Sequence, residues 1–201
     1  MFGPFFLGLA LLQAVPASDY VPDDGWDDND WARTFYEDWL GAQLRAMREP
    51  ALSGQTQLDG YYERFRLLVL PSFEPAYSYR IDVRPDGAAR LRWARLNGRG
   101  GYAPGRLVRQ GYRSLLSSEL RDFRRALAAA ALDSLSREEQ VVFIDEEGNE
   151  YLRSCFDGTL LVFEHLTAHR RVYVVRHCTI ENSVQRLADA IYRLRPRATM
   201  N

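Results

Sequence analysis

Alternating apolar and polar positions predict a β-rich centre for this chain of 201 residues. Aromatic and branched residues dominate YERFRLLVLPSF and AYSYRIDVRPDGAARLRWARLNG, and a Pro-Asp-Gly turn divides the second stretch. We therefore predict three strands in an antiparallel meander. Charged residues alternate with apolar ones in the second and third strands, so one face of the sheet is predicted to be apolar and the other rich in arginine. The charged positions are Arg80, Asp82, Arg84, Arg90 and Arg92.

Apolar residues at helical spacing predict three helices, over residues 31–48, 116–135 and 181–194. In the first helix the apolar residues cover more than half of the circumference, which is too much for an ordinary surface helix. This helix is either buried on two sides or presents its aromatic residues, Trp31, Phe35 and Trp39, to a protein partner.

The segment EHLTAH resembles a zinc-protease helix, but its flanks TLLVF and RVYVV are typical of strands. In zinc proteases the glutamate follows the first histidine, whereas Glu164 precedes His165 here. We predict a β-hairpin in which His165 and His169 lie at either side of a tight connection, and no metal site.

Cys155 and Cys178 flank this hairpin and are predicted to form a disulfide. If they face each other across the two strands, every facing pair has positions that sum to 333. Asp157 then faces Arg176, as a structural ion pair. Together these elements predict an α+β fold, with an antiparallel sheet of about five or six strands and about three helices in a single domain.

Composition is that of a globular protein, with 46% hydrophobic and 26% charged residues. All 26 basic residues are arginine, which indicates a GC-rich bacterial genome. Residues 1–60 carry a net charge of -7 and residues 61–201 one of +6, so the overall charge of -1 hides a strong asymmetry. The low net charge, and the lack of aromatic residues among the arginines of the second helix, argue against nucleic acid as a partner.

The first residues, MFGPFFLGLALLQAVPASDY, have the apolar length of a signal peptide. We predict a signal peptide at 1–17, a solvated acidic linker at 18–30, the folded domain at 31–196 and a polar tail at 197–201. The protein is then periplasmic or secreted, with no stable membrane span after cleavage; an uncleaved anchor is the alternative. The aspartates of the linker lack the spacing of a calcium loop.

The order of a meander, the loop GGYAPG, a helix, a hairpin with Cys155 and Asp157-Gly158, and a closing helix resembles a set of bacterial exported proteins that have no known activity. The resemblance covers about residues 60–195 and implies the fold and the compartment.

The expected function is a non-enzymatic binding or envelope-associated module without a cofactor. The chain lacks a Gly-x-Ser-x-Gly elbow, a metal triad and a cofactor fingerprint. One alternative is a small hydrolase that uses the hairpin carboxylates, for which the clustered candidates are Asp157, Glu164, His169 and Arg176. The other is an inhibitor or immunity-type protein that acts on a partner.

Overall fold

A six-stranded antiparallel sheet forms the centre of the protein. The computed structural model describes residues 20–22, 30–52, 58–138, 142–144, 147–148, 150–152, 158–177 and 182–195. The helices are α1 (Asp30–Ala46), α2 (Ser117–Ala130) and α3 (Asn182–Leu194). The strands are β1 (Glu63–Pro71), β2 (Tyr77–Val83), β3 (Ala89–Leu96), β4 (Leu107–Ser114), β5 (Val142–Ile144), β6 (Glu150–Leu152), β7 (Thr159–Thr167) and β8 (Arg171–His177).

The strand order in the large sheet is β4-β3-β2-β1-β7-β8, and β5 pairs with β6 in a separate hairpin. The predicted meander is confirmed, since β1, β2 and β3 pair in sequence and Gly87 takes a positive φ of 82° in the turn between β2 and β3. The same meander continues into β4, a strand that the sequence did not predict.

Both faces of the sheet are covered, but by different helices. On one face, a core built around Phe65, Leu67 and Phe163 packs against residues of α2 and α3. On the other, Leu68, Leu70 and other apolar residues pack against α1. The predicted α+β fold with three helices is confirmed, and α1 leaves part of its face of the sheet to charged residues.

The hairpin of β7 and β8 is confirmed, but its predicted register is wrong. Leu161 faces Arg176 and Glu164 faces Tyr173, so facing positions sum to 337 rather than 333. The turn lies at residues 168–169, where the Thr167 N–H donates to the Arg170 carbonyl at 2.8 Å. The register was derived from the cysteines, and Cys155, Asp157 and Cys178 lie outside the described residues. Their disulfide stays a prediction.

The acidic segment contains two buried apolar residues. Tyr20 is 3% exposed and Val21 is 1% exposed, and both belong to the core under α1. The Tyr20 hydroxyl donates to the Glu49 carbonyl at 3.0 Å. For these two residues the prediction of a solvated linker is wrong, because their apolar side chains pack into the core although aspartates precede and follow them in the sequence. Across the described residues, no helix is long and apolar enough to cross a membrane.

Candidate anion-binding face

Three arginines stand side by side across the centre of the sheet, on the face that α1 partly covers. Arg66 faces Arg80 across β1 and β2, and Arg80 faces Arg92 across β2 and β3. Like charges in directly facing positions destabilise a sheet unless an opposite charge lies between them. The pairing confirms the arginine-rich face that the alternation in β2 and β3 predicted. The positive charges of these three arginines require compensation by nearby carboxylates.

Glu49 supplies that compensation from outside the sheet. It follows α1, after Arg48 turns the chain with a positive φ of 56°. Its buried carboxylate accepts hydrogen bonds from Arg80 and Arg92 and from the Ser78 hydroxyl, and lies 4.0 Å from Arg66. Burial alone would raise the pKa of Glu49, but Arg80, Arg92 and Arg66 outweigh it and hold the pKa below its usual value.

Two further acids, Asp82 and Glu164, pair with these and neighbouring arginines on the same face of the sheet. Asp82 accepts hydrogen bonds from Arg64 and from Arg80, both at 3.0 Å. Glu164 pairs with Arg66 and, at 3.4 Å, with Arg171. Burial acts against the charge of Arg80, but the carboxylates of Glu49 and Asp82 outweigh it and raise the pKa of Arg80. The guanidinium groups are thus fixed in direction by carboxylates beneath or beside them.

Next to this network the sheet is concave and open. The surface, which we call the arginine groove, has a volume of about 500 Å³ and is lined by Tyr61, Arg80, Asp82, Arg90, Arg92, Gln110, Gly111 and Tyr112. Tyr112 is 70% exposed, and the Arg90 guanidinium lies 5.0 Å from the centre of its ring. Arg90 is itself exposed. The groove therefore presents an aromatic ring beside a cation that solvent can reach.

Positive charge exceeds negative charge on this face. Six arginines, at positions 64, 66, 80, 90, 92 and 171, surround four acids, at positions 49, 59, 82 and 164. Glu49 alone is shared by three of the arginines. The groove itself is lined by Arg80, Arg90 and Arg92 against Asp82, and Glu49 lies beside Arg80 and Arg92, so one positive charge remains in excess there. A positively charged concave surface attracts anions, and arginine forks match carboxylate and phosphate oxygens.

Sequence reasoning identified the arginines of the groove but missed Glu49, Tyr61 and Tyr112. Glu49 lies at the end of a predicted helix and gave no pattern of its own. Tyr112 belongs to β4, where it lies in the same alternating row as Gln110 and Val108. The run LVRQGYRS does not alternate apolar and polar residues, so its pattern does not predict a strand.

The residues proposed for a hydrolase do not form one site. Glu164 is buried between Arg66 and Arg171, and His169 lies in the hairpin turn. Arg176 points to the other face of the sheet, where it donates to the carbonyls of Ser136 and Val175. Asp157 lies outside the described residues. Among the described residues, no group of three His, Cys, Asp or Glu side chains is placed to hold a metal ion.

A different histidine has an ordered carboxylate partner. The ring of His165 lies 2.9 Å from the Glu63 carboxylate, which also accepts a hydrogen bond from Arg124. Burial opposes the charge of Glu63, but the bonds from His165 and Arg124 lower its pKa. These groups lie beside a surface depression of about 350 Å³ that Arg124 and His165 line together with Arg170. Arg170 is paired with Asp133, so the charges here are balanced.

The aromatic residues of α1 have separate environments. Phe35 is 52% exposed, whereas the Trp39 indole N–H donates to the Gly100 carbonyl at 2.9 Å. Gln43 also donates to Gly100, at 3.3 Å. The side chain of Trp31 lies outside the described part of α1. The glycine-rich loop thus anchors α1, and a protein partner for this helix stays a prediction.

No family model matches the chain, and no curated protein matches it significantly.

Proposed function

We propose that this protein is an exported, non-enzymatic binding module that holds an anionic, ring-containing ligand in the arginine groove. The observation that carries the proposal is the excess of positive charge in a concave surface beside the exposed ring of Tyr112. The ligand class is a carboxylate- or phosphate-bearing glycan of the cell envelope. Its anionic groups would meet arginine, and a sugar ring would pack on tyrosine.

The position of Arg90 supports a role in ligand binding that the other arginines of this face do not share. Arg66, Arg80 and Arg92 are needed to hold Glu49 and the α1 connection in place. Arg90 lies at the open end of the same face, where it contacts Tyr112. An exposed arginine at this position contributes little to stability, so its placement beside an aromatic ring favours recognition of a ligand.

The proposal is tested by titrating the purified protein with oligogalacturonate, inositol hexakisphosphate and neutral dextran oligosaccharides. Arg90→Ala should weaken binding of the anionic probe by roughly tenfold, because it removes one charge-assisted contact. Tyr112→Ala should weaken oligogalacturonate more than inositol hexakisphosphate if the groove prefers sugar rings. Binding should also weaken as salt increases.

The matched controls are Arg84→Ala and Tyr62→Ala. Arg84 is an exposed arginine in the β2–β3 turn and pairs with Asp86 at 2.8 Å, outside the groove. Tyr62 is 60% exposed and does not line the groove. Equal losses in Arg84→Ala and Arg90→Ala would show that binding follows net charge alone. That result, or tight binding of neutral dextran, would refute the proposed site.

A further inference from the structure

Strand β4 is the outermost strand of the six-stranded sheet, next to β3. Just after it, the Leu115 N–H donates to the Ala89 carbonyl at 2.9 Å. Because residues of an antiparallel strand alternate in the direction of their backbone groups, the odd-numbered residues of β4 bond to β3 in the same way. Gln110, Tyr112 and Ser114 therefore direct their N–H and C=O groups away from β3. Such an edge is a template for a further strand.

The beginning of β4 is less regular than its end. The register between β3 and β4 shifts where Arg95 faces Arg109 and Leu96 faces Leu107, so Val108 is an extra residue. A bulge of this kind bends the strand and interrupts pairing. The regular part of the outer edge is thus limited to residues 110–114.

Exposed apolar side chains are concentrated along this edge. Val108, Tyr112 and Leu116 are each more than half exposed. Leu116 follows the strand but still has an extended backbone, with φ of -70° and ψ of 151°. Apolar side chains that cluster on one exposed surface are typical of a protein contact.

Symmetry restricts how a second copy could pair with this edge. In a two-fold antiparallel pair, facing residues both point towards the other copy or both point away from it, so the axis passes through a residue. An axis at Gln110 would place Tyr112 opposite the bulge at Val108. An axis at Gly111 would set Arg109 against Arg113 twice, and an axis at Arg113 would set Arg113 against itself. Directly facing like charges destabilise a sheet.

We propose that two copies of this protein pair antiparallel through β4, about a two-fold axis at Tyr112. Tyr112 then faces Tyr112 of the other copy, and Gln110 faces Ser114. Arg113 faces Gly111, which has no side chain to obstruct it. Continued along the extended chain, the same register brings Leu116 close to Val108 of the other copy. The pairing therefore covers all three exposed apolar residues without opposing two arginines.

The contact is small and the dimer is accordingly weak. The facing pairs that include Gln110, Tyr112 and Ser114 exchange about six backbone hydrogen bonds. The Ser114 carbonyl already accepts a bond from Arg113 at 3.1 Å, but a carbonyl has a second lone pair for the other copy. A dissociation constant of roughly 100 µM is typical of an interface this small. At low micromolar concentration the monomer dominates, and the outer edge of β4 is open.

The pairing also unites the two arginine grooves. Tyr112 and Gln110 line the groove where it reaches β4. A two-fold axis perpendicular to a sheet keeps the equivalent faces of both copies on the same side, so the two grooves meet at the paired Tyr112 rings. A polymeric anion could then contact both copies. This last step rests on the proposed function, whereas the dimer itself does not.

The test is sedimentation of the full chain without ligand, from about 5 to about 500 µM protein, a range that brackets the expected affinity. The wild-type protein should pass from monomer to dimer. Tyr112→Lys should weaken association at least about tenfold, because it sets two positive charges opposite each other. Tyr62→Lys, which changes an equally accessible tyrosine before β1, should associate like the wild-type protein.

A mixing experiment tests the position of the axis. Fluorescently labelled Tyr112→Lys should shift to dimer when unlabelled Tyr112→Glu is added, and not when unlabelled Tyr112→Lys is added, because position 112 faces itself only in this register. Leu116→Asp should also weaken association. Since aspartate is favoured at the N-cap position that Leu116 occupies, this variant should melt no lower than the wild-type protein.

Four outcomes would overturn the proposal. They are a wild-type protein that stays monomeric at the highest concentration, undiminished association of Tyr112→Lys, no recruitment of Tyr112→Lys by Tyr112→Glu, and undiminished association of Leu116→Asp. Because these measurements contain no ligand and leave Arg90 unchanged, failure of the dimer is distinguishable from failure of the arginine groove.

Discussion

At the scale of single residues, Glu49 is the group on which the polar face depends most. Its carboxylate is fully buried and shared among Arg66, Arg80 and Arg92. A buried ion pair adds little net stability compared with an apolar pair, but removing one partner leaves a buried charge uncompensated. Here the removal of one acid would affect three cations at once.

We therefore expect Glu49→Gln to lower the free energy of unfolding by about 3–5 kcal/mol. Chemical denaturation at neutral pH measures it. The matched control is Asp86→Asn, which makes the same change of charge in an exposed pair and should cost less than about 1 kcal/mol. If Glu49→Gln does not fold, Ser78→Ala removes one hydrogen bond to the same carboxylate and should cost about 1 kcal/mol. Equal effects of Glu49→Gln and Asp86→Asn would contradict the central role of Glu49.

The same residue predicts the direction of the pH dependence. The pKa of Glu49 is lower in the folded protein than its usual value of 4.5, so its contribution is complete above that pH and is lost as the pH falls through the folded pKa. Arginine remains charged throughout. The stability difference between the wild-type protein and Glu49→Gln should therefore narrow below a pH of about 4.5. A difference that stays constant well below pH 4.5 would show that folding does not lower the pKa of Glu49.

At the scale of elements, the sequence predicted what depends on neighbours along the chain. The alternation of Arg80, Asp82, Arg90 and Arg92 was sufficient to predict one charged sheet face, and the apolar spacing predicted all three helices. The meeting of Glu49 and Glu164 with Arg66 was not predictable, because it joins residues 17 and 98 positions apart. Strand β4 was missed because Gly111 interrupts a short run that follows a glycine-rich loop. The hairpin register failed because an assumed cysteine pair was used to set it.

The segment before α1 should contribute to stability. Tyr20→Ala removes a buried ring from the core under α1 and should cost about 3 kcal/mol. Tyr20→Phe should cost about 1 kcal/mol, through the bond to the Glu49 carbonyl. Thermal unfolding of both variants, with Tyr62→Ala as the exposed control, measures these effects. Unchanged melting of Tyr20→Ala would restore the interpretation of this segment as a solvated linker.

At the scale of the whole molecule, the sheet has a protected centre and one exposed edge. All but the last residue of β1 are buried, and β1 pairs with β2 on one side and β7 on the other. Strand β4 lies at the edge and consists mostly of exposed or half-buried residues. The outer side of β8 is partly covered, since the Val175 N–H donates to the Arg137 carbonyl at 2.7 Å.

Hydrogen exchange should follow this order. Amides of β1 and β7 should exchange only on global unfolding, whereas those of β4 that point away from β3 should exchange by local opening. Mass spectrometry of exchanged peptides measures the difference, and the peptide that spans β8 serves as an internal comparison. Equal protection of β4 and β1 would indicate that another molecule or another part of the chain covers the β4 edge.

Glu49 belongs to a short N-terminal piece of the chain, and the three arginines that it neutralises belong to the rest. These two pieces are complementary in charge. Residues 20–52 carry eight acids and three arginines, whereas residues 58–201 carry 18 acids and 23 arginines. The small piece therefore holds the central acid and a net charge of -5, and the large piece holds the three arginines that it neutralises and a net charge of +5. A chain cut between these pieces would behave as a split protein. Its fragments would attract each other at a distance and reassemble in trans, more slowly as salt screens them.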